Sequence, residues 1–165
     1  MNTTRFRDSA EACASSALCA QCGMPLDARY FDESRVAPAP PPGSVEVLAQ
    51  FELPPQYCGV LEYFSQFTDA HTKDNSKIET PGVVWTILVN NRPLDPYREL
   101  THIVNPWGYG SFPVRVRLDD SATVEFIARG VDGGIAPSVA TPEINKVGGR
   151  IMGRYWYNPA YGDVG

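Results

Sequence analysis

From residue 45 onward the chain is a string of short β-type segments cut by Gly, Pro, Asn and Asp, too closely spaced for a helix of ordinary length. Candidate strands are Val45–Phe51, Tyr57–Phe67, Val83–Val89, Arg92–Leu94, Thr101–Val104, Val114–Leu118, Thr123–Arg129 and Val147–Tyr157. Within Val114-Arg115-Val116-Arg117-Leu118 the alternation is strict, so three aliphatic side chains face a core and two arginines face solvent or a partner. Val84-Trp85-Thr86-Ile87-Leu88-Val89 is nearly continuous and β-branched, the pattern of a central strand covered on both sides. Asn90-Asn91 supplies a two-residue turn, because Asn tolerates the positive φ that hairpins require, and Asp119-Asp120-Ser121 plays the same part before the next strand. About eight strands without helices predict an all-β, antiparallel β-sandwich of jelly-roll or Greek-key topology.

Proline sets the expected domain boundary. Residues Val36 to Ser44 read VAPAPPPGS, with Pro38, Pro40, Pro41 and Pro42 in one short run. Such a run is stiff, extended and nearly devoid of hydrogen-bond donors, which predicts a linker. The expectation is therefore an N-terminal arm and linker over residues 1–44 and a sandwich over 45–165. The arm is Ala/Ser-rich and carries three of the four cysteines. Its segment Ser9–Leu18 suits a short helix, but with few large apolar residues it cannot make a core alone. Thr68–Thr80 and Gly130–Asn145 read as surface loops at one end of the sandwich.

Charge and length narrow the function. A net charge of −5 and a pI near 5.0 argue against nucleic acid as a partner, since phosphate binding needs clustered Lys and Arg. No stretch approaches the roughly 20 apolar residues of a membrane span, and the polar, Arg-bearing start lacks the apolar core of a signal peptide. A soluble protein made in a reducing cytosol is expected. A chain of 165 residues buries about two thirds of its unfolded surface around one core, so it needs neither disulfide nor metal to fold.

The sharpest chemical signal is Cys13, Cys19 and Cys22, the last two in Cys19-Ala20-Gln21-Cys22-Gly23. Thiolates at that spacing can point at one structural Zn²⁺ while the Gly permits a tight turn with amides aimed at the sulfurs. Cys13 would be the third ligand, and the fourth would come from Cys58, His71, His102 or a neighbouring subunit. The competing reading is a set of reduced thiols in an arm that packs against something. A redox role would need a βαβ surround that the sequence lacks. No other cofactor is implied. His71 and His102 stand singly, there is no H-E-x-x-H, G-x-S-x-G or P-loop, and no enzyme is expected. Asp119-Asp120 and Asp132-Gly133 read as turn formers rather than calcium ligands. Trp107 and Tyr109, in the glycine-loosened loop Asn105-Pro106-Trp107-Gly108-Tyr109-Gly110, are candidate contacts together with Arg115 and Arg117, because exposed rings stack on sugars or anchor protein interfaces. In Tyr155-Trp156-Tyr157 alternate rings must point to opposite faces, so at least one belongs to the core.

The succession Leu53-Pro54-Pro55-Gln56-Tyr57-Cys58-Gly59-Val60-Leu61, Val84–Asn90, Phe112–Leu118, Thr123–Ala128 and Arg150–Tyr157 resembles the small jelly-roll structural proteins of tailed bacteriophages: capsid cement or decoration proteins, head fibres, and neck or tail accessory proteins. The likeness covers residues 45–157 and lies in strand order rather than in a functional motif. It implies a sandwich that trimerises and a terminal arm that docks on the particle, and the cysteine knuckle departs from that plan. The resulting expectation is a virion protein, assembled in the host cytoplasm, that binds the major capsid protein as a homo-trimeric cement or decoration protein. A neck, tail or baseplate accessory protein is the alternative within that class. A carbohydrate-binding module with a glycan partner in host attachment is the alternative outside it.

Overall fold

A computed structural model describes residues 25, 27–69, 78–79, 82–95, 97–103, 112–132 and 144–158. All of its regular structure is β: β1 Arg29–Pro38, β2 Val45–Glu52, β3 Tyr57–Thr68, β4 Ile78–Glu79, β5 Val83–Val89, β6 Arg92–Pro93, β7 His102–Ile103, β8 Phe112–Leu118, β9 Thr123–Gly130 and β10 Lys146–Tyr157. Eight of these strands form two antiparallel sheets of four, in the orders β1-β10-β3-β8 and β2-β9-β5-β6, while β4 and β7 pair as a separate ribbon. Counted without that ribbon, the sheets run 1-8-3-6 and 2-7-4-5. That is the order of a jelly roll, in which one long antiparallel ribbon is wrapped across two sheets.

Local chemistry accounts for the turns. Asn90 and Asn91 both take positive φ, 51° and 61°, and close the β5–β6 hairpin. Ser121 has φ 57°, and the Ala122 amide donates to the Asp119 carbonyl at 3.0 Å. Asp120 then latches the β2–β3 turn, accepting the Gln56 amide at 2.6 Å, which supports turn chemistry for the Asp pair. The free flank of β5 is completed by the segment after β6, where Trp85 and Leu100 exchange backbone hydrogen bonds at 2.9 and 3.1 Å. Covering β5 in this way removes an exposed edge.

The core lies between the sheets and is built on the fully buried Trp85, Phe126, Leu48, Leu61, Ile87 and Ile151. The buried Trp85 indole crosses the sandwich, its Nε1–H donating to the Gly148 carbonyl of β10 at 3.2 Å, so the largest core side chain also satisfies its polar atom. At one end Phe31 stacks on Phe51 with ring centroids 4.2 Å apart, and Tyr155 and Tyr57 continue that aromatic row. Tyr155 thus packs against the core while Trp156 points the other way, as the alternation requires.

The boundary expected at residue 44 moves. Arg29–Pro38, expected as the end of the arm and the start of the linker, is the first strand of the sandwich and pairs with β10 over ten positions from Arg29↔Tyr155 to Pro38↔Lys146. The proline run is not a free tether either, because it is the packed crossover from β1 to β2. Its available amides all find acceptors: Ala39 donates to Asn145 at 2.8 Å, Gly43 to Gly130 at 3.0 Å and Ser44 to Pro41 at 3.0 Å. A chain crossing the end of a sandwich has no ladder partner, and proline leaves few donors to satisfy there. Gly130 is required at the contact, since a Cβ on it would lie 2.1 Å from the Pro41 carbonyl oxygen. Strands β1 and β4 are the two that the sequence pattern did not predict. The helix expected over Ser9–Leu18 lies outside the described residues.

Candidate functional site

The outer face of the β1-β10-β3-β8 sheet is where this fold gathers groups suited to contact. Alternation places Tyr30, Asp32, Ser34 and Val36 of β1 on that face, with Arg150, Met152 and Arg154 of β10 beside them. On β3 a bulge alters the alternation. Met152 is opposite Tyr63 while Gly153 is opposite Leu61, so Glu62 is an extra residue, and Glu62 and Tyr63 both reach the outer face. Bulges re-aim side chains in this way and are common beside functional surfaces.

Four charges on this face, those of Asp32, Arg150, Glu62 and Arg154, are paired within the chain. Arg150 clamps Asp32 through two hydrogen bonds, Nε to Oδ1 at 2.6 Å and Nη2 to Oδ2 at 2.5 Å. Arg154 clamps Glu62 in the same forked manner at 2.8 and 2.5 Å, and lies over the Tyr30 ring at 5.8 Å. The hydrogen bonds from Arg150 hold the Asp32 carboxyl below the usual carboxylate range against a small opposing effect of burial, and Asp32 in turn raises the Arg150 guanidinium. Between these pairs stand large exposed apolar groups: Tyr30, Val36, Tyr63 and Phe67. Val36 and Phe67 flank Gly148, whose missing side chain leaves an open groove of about 360 Å³. Along β8 a second open depression of about 350 Å³ is lined by Glu62, Tyr63, Tyr97, Pro113, Val114 and Arg115.

The residues singled out from sequence fall unevenly on this surface. Arg115 and Arg117 are exposed on β8 as the alternation predicted. Arg115 lines the depression beside Tyr63, whereas Arg117 pairs with Asp119 at 2.8 Å and so braces the β8–β9 turn. Trp107 and Tyr109 lie outside the described residues, as do Cys13, Cys19, Cys22 and His71. His102 is in β7, opposite Glu79. Cys58 is disulfide-bonded, which corrects its reading as a possible fourth zinc ligand, because a sulfur in a disulfide is not a thiolate. Among the described residues no group of three or more His, Cys, Asp and Glu side chains could hold a metal ion, and no helix is long and apolar enough to cross a membrane.

Sequence reasoning missed Tyr30 and Asp32, which it assigned to the arm, Val36, which it assigned to the linker, and Glu62, whose role depends on the bulge. The alternation of Tyr30, Asp32, Ser34 and Val36 around the buried Phe31 and Ala37 was the available signal. An outer face with paired charges and exposed rings suits a broad protein contact, because the charges enter an interface already compensated while the rings supply apolar area. No protein-family model and no curated protein matches the chain.

Proposed function

We propose that the chain is a structural virion protein of a tailed phage, a homo-trimer that binds the capsid as a cement or decoration protein. The observation that carries this reading is the β1-β10-β3-β8 face, where Tyr30, Val36, Tyr63 and Phe67 are exposed between ion pairs closed within one chain. That face offers apolar contact on a rigid sheet whose central charges, Asp32 with Arg150 and Glu62 with Arg154, are already paired, which suits repeated docking on a particle surface. The jelly-roll strand order is in keeping with the resemblance of residues 45–157 to phage proteins of this kind. Neck or tail attachment would use the same face.

Light scattering on the purified chain should give a mass three times 18.1 kDa. Co-sedimentation with heads assembled from the structural genes encoded beside it should show binding, and Phe67→Asp should abolish that binding without unfolding the sandwich. A monomer that ignores heads, necks and tails alike would sink the proposal.

A glycan-binding role has one specific support, the depression in which Tyr63 and Tyr97 stand with Glu62 and Arg115. Rings beside charged hydrogen-bonding groups suit a sugar. A glycan array probed with the parent chain and with Tyr63→Ala decides it: a signal lost in the variant supports the role, and silence with both removes it.

A further inference from the structure

We infer that the depression along β8 takes an acidic sugar, with Arg115 holding the sugar's carboxylate and the rings of Tyr63 and Tyr97 stacking on it. The inference rests on the glycan reading of that depression and names the class of sugar it selects. It is independent of where the chain attaches to a particle.

Charge singles out Arg115. Among the described residues that line the depression, only Glu62 and Arg115 are charged. Both carboxylate oxygens of Glu62 are taken up by Arg154, at 2.5 and 2.8 Å, so Glu62 meets an incoming anion as half of a neutral pair. The guanidinium of Arg115 has no ion pair or hydrogen bond among the described residues, whereas Arg117, two positions on, is turned to Asp119. A guanidinium presents paired N–H donors that match a carboxylate in a fork. Asp32 with Arg150 and Glu62 with Arg154 already make that fork on the same sheet face. At Arg115 it is open. With a net charge of −5 the whole chain repels an anion at range, so the attraction is short-ranged and salt-sensitive.

The rings are set in place before any ligand arrives. The β3 bulge turns Tyr63 to the outer face, where it lies opposite Pro113 in the β3–β8 ladder and is 43% exposed. Tyr97 packs edge-on against Phe64 and Phe112, with centroids 5.5 and 6.3 Å apart. Its backbone is fixed as well, the amide donating to the Leu94 carbonyl at 2.6 Å and the carbonyl accepting the Ile87 amide at 3.0 Å. Groups held in this way lose little freedom on binding. A sugar unit fits the combination, because its C–H face stacks on a ring while its carboxylate turns to the cation. The space, about 350 Å³, is at the small end of ligand sites, and it opens to solvent so that a glycan chain can continue past it.

The test is an array of glycans ending in glucuronic, galacturonic or sialic acid, each printed beside its carboxyl methyl ester. It is probed with the full chain, with Arg115→Gln and with Tyr63→Ala, at low and at high salt. At least one acid should bind about tenfold or more above its ester at low salt, and high salt should narrow that gap. Arg115→Gln should bring the acid down to the level of the ester, and Tyr63→Ala should weaken both. Arg115 is exposed on an edge strand, so Arg115→Gln should melt like the parent chain. Equal binding of acid and ester, lost in Tyr63→Ala, overturns the carboxylate assignment and leaves the glycan reading standing. An acid preference that survives Arg115→Gln overturns the role of Arg115. Silence across the array removes the inference together with the glycan reading.

Discussion

Asp32 shows how a single side chain on this sheet contributes without being buried. Its carboxyl is about half exposed and is held below the usual carboxylate range mainly by the hydrogen bonds from Arg150. A lowered native pKa means stability that is present above the unfolded carboxylate value, about 3.9, and lost as the pH falls through the native one. Solvent screening limits the size, so Asp32→Asn should reduce unfolding free energy by no more than about 1 kcal/mol at pH 7. Urea titrations should show the two proteins converging as the pH falls below the usual carboxylate range. Gly149 lies at the opposite extreme. A Cβ there would sit 2.5 Å from Cδ1 of Phe126 and 2.9 Å from Cβ of Leu48, both part of the buried core. Gly149→Ala should therefore cost about 1–3 kcal/mol by overpacking, seen as a lower urea midpoint with an unchanged slope. Asp69 works through the backbone instead, its Oδ1 accepting the amides of both Asn145 and Lys146 at 2.9 Å, which fixes the start of β10 and lowers its own carboxyl pKa.

At the scale of elements, β1 decides where the domain begins. It contributes Phe31 to the stacked pair with Phe51, and it covers the edge of β10 over its whole length. Deleting residues 1–24 should leave a folded sandwich. Deleting residues 1–42 removes β1 and most of the crossover, strips one wall from the aromatic row and opens the edge of β10 to foreign strands. The longer deletion should aggregate or lose cooperative unfolding, whereas the shorter should keep a single sharp transition. Circular dichroism melts and size-exclusion profiles distinguish the two. Both the edge position of β1 and the exposure of eight of its ten residues explain why the pattern of hydrophobicity passed over it. Only Phe31 and Ala37 turn inward and are buried there, too few to mark a strand. Strands with one well-buried face, such as Phe112–Leu118, were legible because alternation follows directly from burial on one side.

For the whole molecule, the jelly roll joins the two ends of the chain early in its architecture: β1 pairs with β10, and β2 with β9. Such distant pairings carry a high loop-closure cost before any contact rewards them, which makes the fold slow to form. The candidate contact face also belongs to this scale. Tyr30 and Val36, Tyr63 and Phe67, and Arg150 and Arg154 come from three strands distant in sequence, and only the sheet order places them side by side.

Sequence by itself determined the β class, the turns and the inward-facing registers. Positive φ at Asn90 and Asn91, the alternation of Val114–Leu118 and the continuous burial of Val83–Ile87 depend on neighbours a few residues away. It also marked the extended, donor-poor character of the run from Pro38 to Ser44. Tertiary structure decided what that run does, because whether an extended segment is a tether or a crossover depends on whether a distant Gly130 and Asn145 accept its few amides. It decided that Glu62 and Tyr63 share a face, since a bulge is defined only against a partner strand. And it decided the fate of Cys58, which is buried and disulfide-bonded. Local geometry is written in short-range sterics and hydrogen bonding, whereas boundaries, faces and cross-links are set by which strands meet.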